Sequence, residues 1–313
     1  MTDTSTPPKC PQSALYAFGL CLRILNKLRR ELIGYTTPRP FSPTHIERNI
    51  RYTLDVAEGW RKYVSKYTGE AHPFCNKHVL ELGPGQDLGT GLVLLANGAK
   101  SYTSIDKNRL IHKTPMRFYY VLLEHLEELP GYARAKETVD CLQRAGTQEH
   151  FCYIWDPAFQ LNRLASKRYD LVVSHRVLEH IVDIEKTFDA LSSILSGNAV
   201  MVHEIDLVTH TRIVRELDPL NLLRYSKWIW KVLRFDGSPN RMRMNDYCEI
   251  LRRLRYKDVV SLPVAFLDDS YVRRAKSHLW GTYKRTPEED LTAKSFYLLA
   301  RKDDPENARH DEQ

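Results

Sequence analysis

The residues able to do chemistry in this chain are a few acids, glycines and histidines. Glu81 and Leu82 run into Gly83-Pro84-Gly85, and Gly89 follows. Glycines so placed let the main chain take angles that other residues resist, and let a ligand approach it closely. The dinucleotide fingerprint sets its third glycine one residue earlier, to hold a pyrophosphate on a helix N-terminus. The later Gly89 and the carboxylate of Glu81 suit instead a ligand with an ammonium and no phosphate. Asp106 follows the turn at the spacing where an acid accepts hydrogen bonds from ribose hydroxyls. Aspartate also caps helices, but with the glycine turn upstream ribose binding is the stronger reading. His175, His180, His203 and His210 lie near the ends of apolar runs, and histidine is the natural general base near neutral pH. His203 is the best placed. Alternation puts His203 and Ile205 on one strand face and Glu204 and Asp206 on the other, but a strand that breaks at Asp206 would let this acid orient the imidazole. The competing reading is a buried, hydrogen-bonded core histidine. His175 is the second candidate, as base or substrate contact, while Glu179 and His180 read as residues that hold their loop in shape. No His, Asp or Glu spacing is typical of a metal site, so no metal is expected.

Such residues need a scaffold that brings strand ends to one edge. Residues 78–83 read as a buried strand, 89–97 as a helix closed by Gly98, and 100–106 as a second strand ending at Asp106. Residues 108–146 read as an inserted helical hairpin. Residues 151–155 form a short aromatic strand stopped by Asp156-Pro157. A fourth strand, 169–174, is apolar enough to be buried on both sides. A helix over 183–195, ended by Gly197, leads to a fifth strand at 199–205. Residues 206–244 read as a helical lid in which Arg224, Tyr225, Lys227, Trp228, Arg241 and Arg243 either line an acceptor pocket or form a solvated face. A helix over 246–254 and strands at 258–264 and 295–301 complete the pattern. Strands alternating with helices predict an α/β fold, a parallel sheet covered on both faces, with its ligand at the carboxyl edge. A helix over 44–67 precedes the first strand, with Thr44 and Glu47 at capping-box spacing.

The run Glu81-Leu82-Gly83-Pro84-Gly85 with Gly89 resembles the first motif of the class I methyltransferases that use S-adenosylmethionine. Leu178-Glu179-His180 is similar to a stretch after the fourth strand in many small-molecule methyltransferases. His203, Ile205, Asp206 and Leu207, followed much later by Asn240-Arg241-Met242-Arg243, resemble methyltransferase-domain proteins of bacterial sugar, polysaccharide and secondary-metabolite clusters. The resemblance spans residues 44–301. It implies a Rossmann-like, doubly wound, seven-stranded sheet, mostly parallel with an antiparallel last strand, and a helix over 44–67 that covers the cofactor. It implies S-adenosyl-L-methionine held by Glu81, Leu82, Gly83, Pro84, Gly85, Gly89 and Asp106, with Asp156 toward the adenine amino group and Ser174 at the same edge; an Asp-Pro turn is the alternative for Asp156. The activity it implies is O-methylation of a sugar, glycan or small metabolite, with His203, His175 and Asp206 as catalytic candidates. Two alternatives stay open: N- or C-methylation of another small molecule or a macromolecule, and a catalytically inactive partner module. Ser174-His175-Arg176-Val177 stands where nitrogen-specific nucleic-acid enzymes carry Asn/Asp-Pro-Pro-Tyr, which argues against that class.

The 313 residues, 42% hydrophobic and 27% charged, have the composition of a soluble globular chain. A net charge of +7 suits anionic substrates or a membrane surface without demanding nucleic acid, and with no nucleic-acid-binding signature present none is expected as a partner. Six cysteines without a C-x-x-C pair suggest reduced thiols and a cytoplasmic setting. No apolar run approaches the ~20 residues that span a bilayer, and no signal-peptide pattern is visible. Residues 1–43 read as a tail and a helix, and 302–313 as a charged tail. The helix, 14–33, is amphipathic: Phe18, Cys21, Leu25, Leu28 and Leu32 share one face, and Arg23, Lys27 and Arg30 another. It packs on the domain, on a second copy of the chain in a homo-oligomer, or on an anionic membrane as a peripheral contact.

Overall fold

The computed structural model describes residues 11–33, 41–143 and 148–303. Residues 1–10, 34–40, 144–147 and 304–313 lie outside them.

Seven strands form one sheet: β1 (His78–Leu82), β2 (Ser101–Asp106), β3 (Phe151–Trp155), β4 (Tyr169–His175), β5 (Leu195–Asp206), β6 (Lys257–Phe266) and β7 (Ala293–Arg301), in the order β3-β2-β1-β4-β5-β7-β6. β1 through β5 pair in parallel, and β7 runs antiparallel between β5 and β6. The chain reverses its direction of travel across the sheet between β1 and β4, where a doubly wound fold opens its ligand crevice.

Alternation along the strands builds two cores. Val79, Tyr102, Leu171, Val173 and Val202 face one side, and Leu80, Leu82, Val172, Met201 and Ile205 the other. The first side is covered by α2 (Ile46–Thr68), α3 (Gly89–Ala96), α4 (Met116–Glu124) and α5 (Tyr132–Gln143). α2 buries Ile50, Thr53, Val56, Ala57, Trp60 and Val64, a helical period, and stops at Gly69 in the left-handed conformation that a glycine takes without strain. Its expected capping box does not form: a 3-10 turn at Pro43–His45 precedes it, and Thr44 bonds Ser42 and His45 instead. The second side is covered by α6 (Ile184–Ser192) and α9 (Met244–Arg253), through Phe188, Tyr247 and Leu251. α6 stops well before Gly197, which lies within β5 at the register shift beside β4.

A third core lies beyond the carboxyl edge of β5. α7 (Arg212–Leu217) and α8 (Lys227–Leu233) belong to the expected insertion, but α10 (Asp269–Lys276) and α11 (Glu288–Thr292), where no element was expected, join them. Val208, Leu220, Leu223 and Trp230 pack there with Tyr271, Val272, Leu279 and Leu291.

The first helix, α1 (Gln12–Ile33), docks on this third unit through Tyr16 and Leu20 together with its basic residues. Its basic face turns inward. The Arg23 guanidinium lies 3.9 Å over the Trp230 ring, and Arg30 pairs with Asp236 at 3.0 Å. A cation desolvated against an indole face is favourable, and adds to the apolar packing of the helix. Gly19 permits the close approach, since a Cβ there would lie 2.3 Å from the Asn221 side chain. Leu25, Leu28 and Leu32 are left exposed, Leu32 by 80%.

Candidate active site

The crevice is built first from backbone. Gly83 and Gly85 take φ values of +65° and +79°, in the left-handed region. Gly83 donates its N–H to the Ile105 carbonyl at 2.8 Å, and a Cβ on it would stand 2.8 Å from Val177, so the loop after β4 closes directly onto the turn. A Cβ on Gly85 would meet nothing within 4 Å. That open space over the turn is the cradle that the glycines make available. Asp106, at the end of β2, accepts from the Gly85 N–H at 2.9 Å and the Asn108 N–H at 2.6 Å, which brings its carboxylate to the rim of the turn.

Three acids surround the turn. Glu81 Oε2 accepts from Thr90 at 2.6 Å and Tyr102 at 2.7 Å, bonds that tie the carboxylate to α3 and β2. Asp87 accepts from the Gly89 N–H at 2.9 Å and opens α3. With Asp106 they are all buried, and among the described residues none is ion-paired with a lysine or arginine. Burial, with Asp87 and Asp106 nearby, pushes the Glu81 carboxyl up to about 7 against the bonds from Thr90 and Tyr102, and burial pushes that of Asp87 up to about 6. Buried acids without a counter-ion are costly, so the site favours a cation. An adenosine bearing a sulfonium and an ammonium fits this cradle: room at Gly85, a carboxylate at the ribose spacing, and unbalanced negative charge.

The family model of the methyltransferase domain matches residues 52–259. The chain belongs to this family. It is an S-adenosylmethionine-dependent methyltransferase with the Rossmann-like fold of its class. Among solved structures, the carbon methyltransferase CurJ is 16% identical, with 94% of this chain and 70% of that chain covered and a TM-score of 0.44. Phosphoethanolamine N-methyltransferase 2 of Haemonchus contortus, in complex with phosphomonomethylethanolamine and S-adenosylhomocysteine, is 9% identical, with 81% of this chain and 53% of that chain covered and a TM-score of 0.43. A methyltransferase of Archaeoglobus fulgidus is 14% identical, with 80% and 94% covered and a TM-score of 0.42. At such identities and TM-scores these likenesses carry nothing about the acceptor. A comparison with curated proteins finds no match.

Within the methyltransferase, the remaining site candidates separate. Asp156 folds back on its own turn, accepting from the Ala158 N–H at 3.0 Å and the Gln160 N–H at 3.2 Å. Ser174 is buried, its hydroxyl 2.8 Å from His203 Nδ1 and its carbonyl bonded by the Trp60 indole. His203 is not placed as a base. It is fully buried between β4 and β7 on the Phe188 side, its Nε2 has no partner, and burial pushes its pKa down to about 3. Nor does Asp206 orient it: β5 runs through Asp206, which pairs with Arg215 at 2.7 Å on the opposite strand face. We expect His203→Ala to cost roughly 2–4 kcal/mol in chemical denaturation, through a cavity and an unpaired Ser174 hydroxyl, with turnover changed by less than about threefold. A large loss of turnover at unchanged stability would restore the base role.

The ring nitrogens of His175 are also buried and make no hydrogen bond, but this residue lies at a strand end next to a carboxylate. It ends β4 beside Glu204 of β5, its Nδ1 3.1 Å from Oε2 of that carboxylate, and Tyr52 of α2 meets its ring edge-on at 5.4 Å. Tyr52 is 50% exposed. Glu204 and Tyr52 were not among the sequence candidates. Glu204 was legible as the neighbour of His203, but only the parallel register of β4 and β5 sets it beside His175. The arginines read as either an acceptor pocket or a solvated face hold the fold together instead. Arg224 is buried on Asp218 at 2.7 Å and 2.8 Å. Arg243 is buried against the carbonyls of Leu207 and Ala293, and Arg241 packs over Trp230. Two surface recesses, of about 480 and 570 Å³, open beside α2 away from the turn and contain none of these residues.

Proposed function

We propose that this methyltransferase transfers its methyl group to a hydroxyl of a small polar acceptor such as a sugar, glycan or metabolite, with His175 as general base. The observation that carries this reading is the His175–Glu204 pair at the carboxyl edge. When bound, S-adenosylmethionine supplies a methyl on a cationic sulfur that needs no further activation. What the protein must add is in-line placement of the acceptor oxygen and removal of its proton. His175 takes the proton, and Glu204 holds the ring and stabilises the imidazolium. Burial opposes the charge on Glu204, yet contacts with His175, Tyr297 and Arg176 outweigh it and hold this carboxyl below its ordinary value. Methylation of nitrogen or carbon is the outcome that competes in the test. A panel of hydroxyl, amine and activated-carbon acceptors is incubated with methyl-labelled cofactor. Label in ethers supports O-methylation, and label only in amines or carbon products sinks it.

The acids around the turn predict a pH dependence. Glu81 and Asp87 are charged above about 7 and about 6 and protonated below. Their charged forms favour a sulfonium, so affinity for S-adenosylmethionine should fall about tenfold between about pH 8 and about pH 5.5. S-adenosylhomocysteine, which lacks the sulfonium charge, should weaken less. Calorimetry of both ligands across this range checks it, and parallel curves would count against the role given to these acids.

The exposed side of α1 supports peripheral membrane contact. Leu25, Leu28 and Leu32 are exposed with Trp228 and Val232 of α8, and Lys227, Lys231 and Arg234 are exposed on and beside α8. Exposed apolar side chains and cations on these two helices match an anionic bilayer surface. No described helix is long and apolar enough to cross a membrane. The protein should sediment with phosphatidylserine vesicles and not with phosphatidylcholine vesicles, and Trp228→Glu with Leu32→Glu should release it. Equal partition to both vesicle types would refute the contact.

A further inference from the structure

We propose that Glu179, His180 and His210 form a binding site for a divalent transition-metal cation of the zinc class on the acceptor side of the crevice. Their ligand atoms lie within 4.8 Å of one another. Glu179 and His180 come from the 3-10 turn after β4, and His210 from the loop after β5, so the cluster spans the two strand ends that frame His175 and Asp206. Glu179 is 1% exposed, and neither carboxylate oxygen has a hydrogen-bond partner. A buried carboxyl left so is one of the least favourable arrangements a fold can hold, and a cation at the centre of the cluster would resolve it.

The imidazoles are prepared for the same task. His180 Nδ1 lies 2.8 Å from the Gly237 carbonyl, an acceptor, so this nitrogen carries the proton and Nε2 keeps its lone pair. Metal-binding histidines are oriented by such a bond to a main-chain carbonyl. The two rings stand 4.8 Å apart. The turn itself is clamped by Asn240 of the insertion, whose side chain donates to the Leu178 and Ile181 carbonyls at 3.0 and 3.1 Å. Two imidazole nitrogens and one carboxylate suit zinc or a neighbouring transition ion, whereas magnesium prefers oxygen and retained water. Three protein ligands leave a position for an oxygen of the acceptor. This last step rests on the methyl-transfer reading above, while the ion site itself does not.

The test uses the full chain, freed of metal by chelator. Titration calorimetry with zinc and with magnesium should give one zinc site and no comparable magnesium binding. Glu179→Gln and His210→Ala should each weaken zinc at least about 100-fold while S-adenosylmethionine affinity stays within about twofold, which shows that the fold is kept. His210 is partly exposed, so His210→Ala reports even should Glu179→Gln unfold. A wild-type protein that takes no zinc, or a His210→Ala variant that takes it unchanged, overturns the proposal. If zinc binds and S-adenosylmethionine does not, the methyltransferase reading fails and the ion site stands.

Discussion

Gly85→Arg should abolish S-adenosylmethionine binding, with affinity reduced by about 100-fold or more, roughly 2.7 kcal/mol, and leave the protein folded. Two features of the site combine. The backbone at Gly85 has φ +79°, which an arginine adopts only with strain. A side chain there enters open space, since even its Cβ would have no neighbour within 4 Å, so it meets the ligand and not the core. Its guanidinium would also neutralise the acids that attract the sulfonium. Gly83 makes the contrast: a Cβ there strikes Val177, so substitution disturbs the loop after β4 and confounds folding with binding. Calorimetry reads the affinity and thermal denaturation the fold. Unchanged affinity in a folded Gly85→Arg protein would place the cofactor elsewhere.

His175→Gln should lower kcat by about 10²–10⁴-fold, the range expected when a general base is removed, and change S-adenosylmethionine affinity little. The variant keeps an amide that can still contact Glu204 and Tyr52, so loss of the proton-accepting nitrogen is the main change. Glu204→Gln should lower kcat less, by about tenfold, because it withdraws orientation and charge stabilisation while the imidazole remains. The pair of variants separates base from scaffold. If His175→Gln retains full turnover on an acceptor found in the labelled screen, the base lies elsewhere or the acceptor needs none.

Much of the scaffold is local and therefore legible. β1 through β5 follow from apolar runs bounded by glycine, proline and aspartate, and the α3 start from glycines after an acid. Failures came where long-range packing outvotes local pattern. Periodicity identifies α1 but cannot say which face turns inward. The answer depends on Trp230 and Asp236, some two hundred residues away, which bury the basic face. Residues 267–292 carry no strong period and fold because a third core is waiting for them.

The amino-acid order alone determined that a glycine turn led by Glu81 would meet Asp106 at one sheet edge, because strand, turn and helix are short-range outcomes of backbone freedom and alternating side chains. The surroundings of each histidine were decided only in three dimensions. His203 and His175 look alike in sequence, each near the end of an apolar strand. The register of β4 against β5 buries the first behind Ser174 and sets the second against Glu204 under Tyr52, since the facing of a strand end depends on its neighbours and not on its own residues.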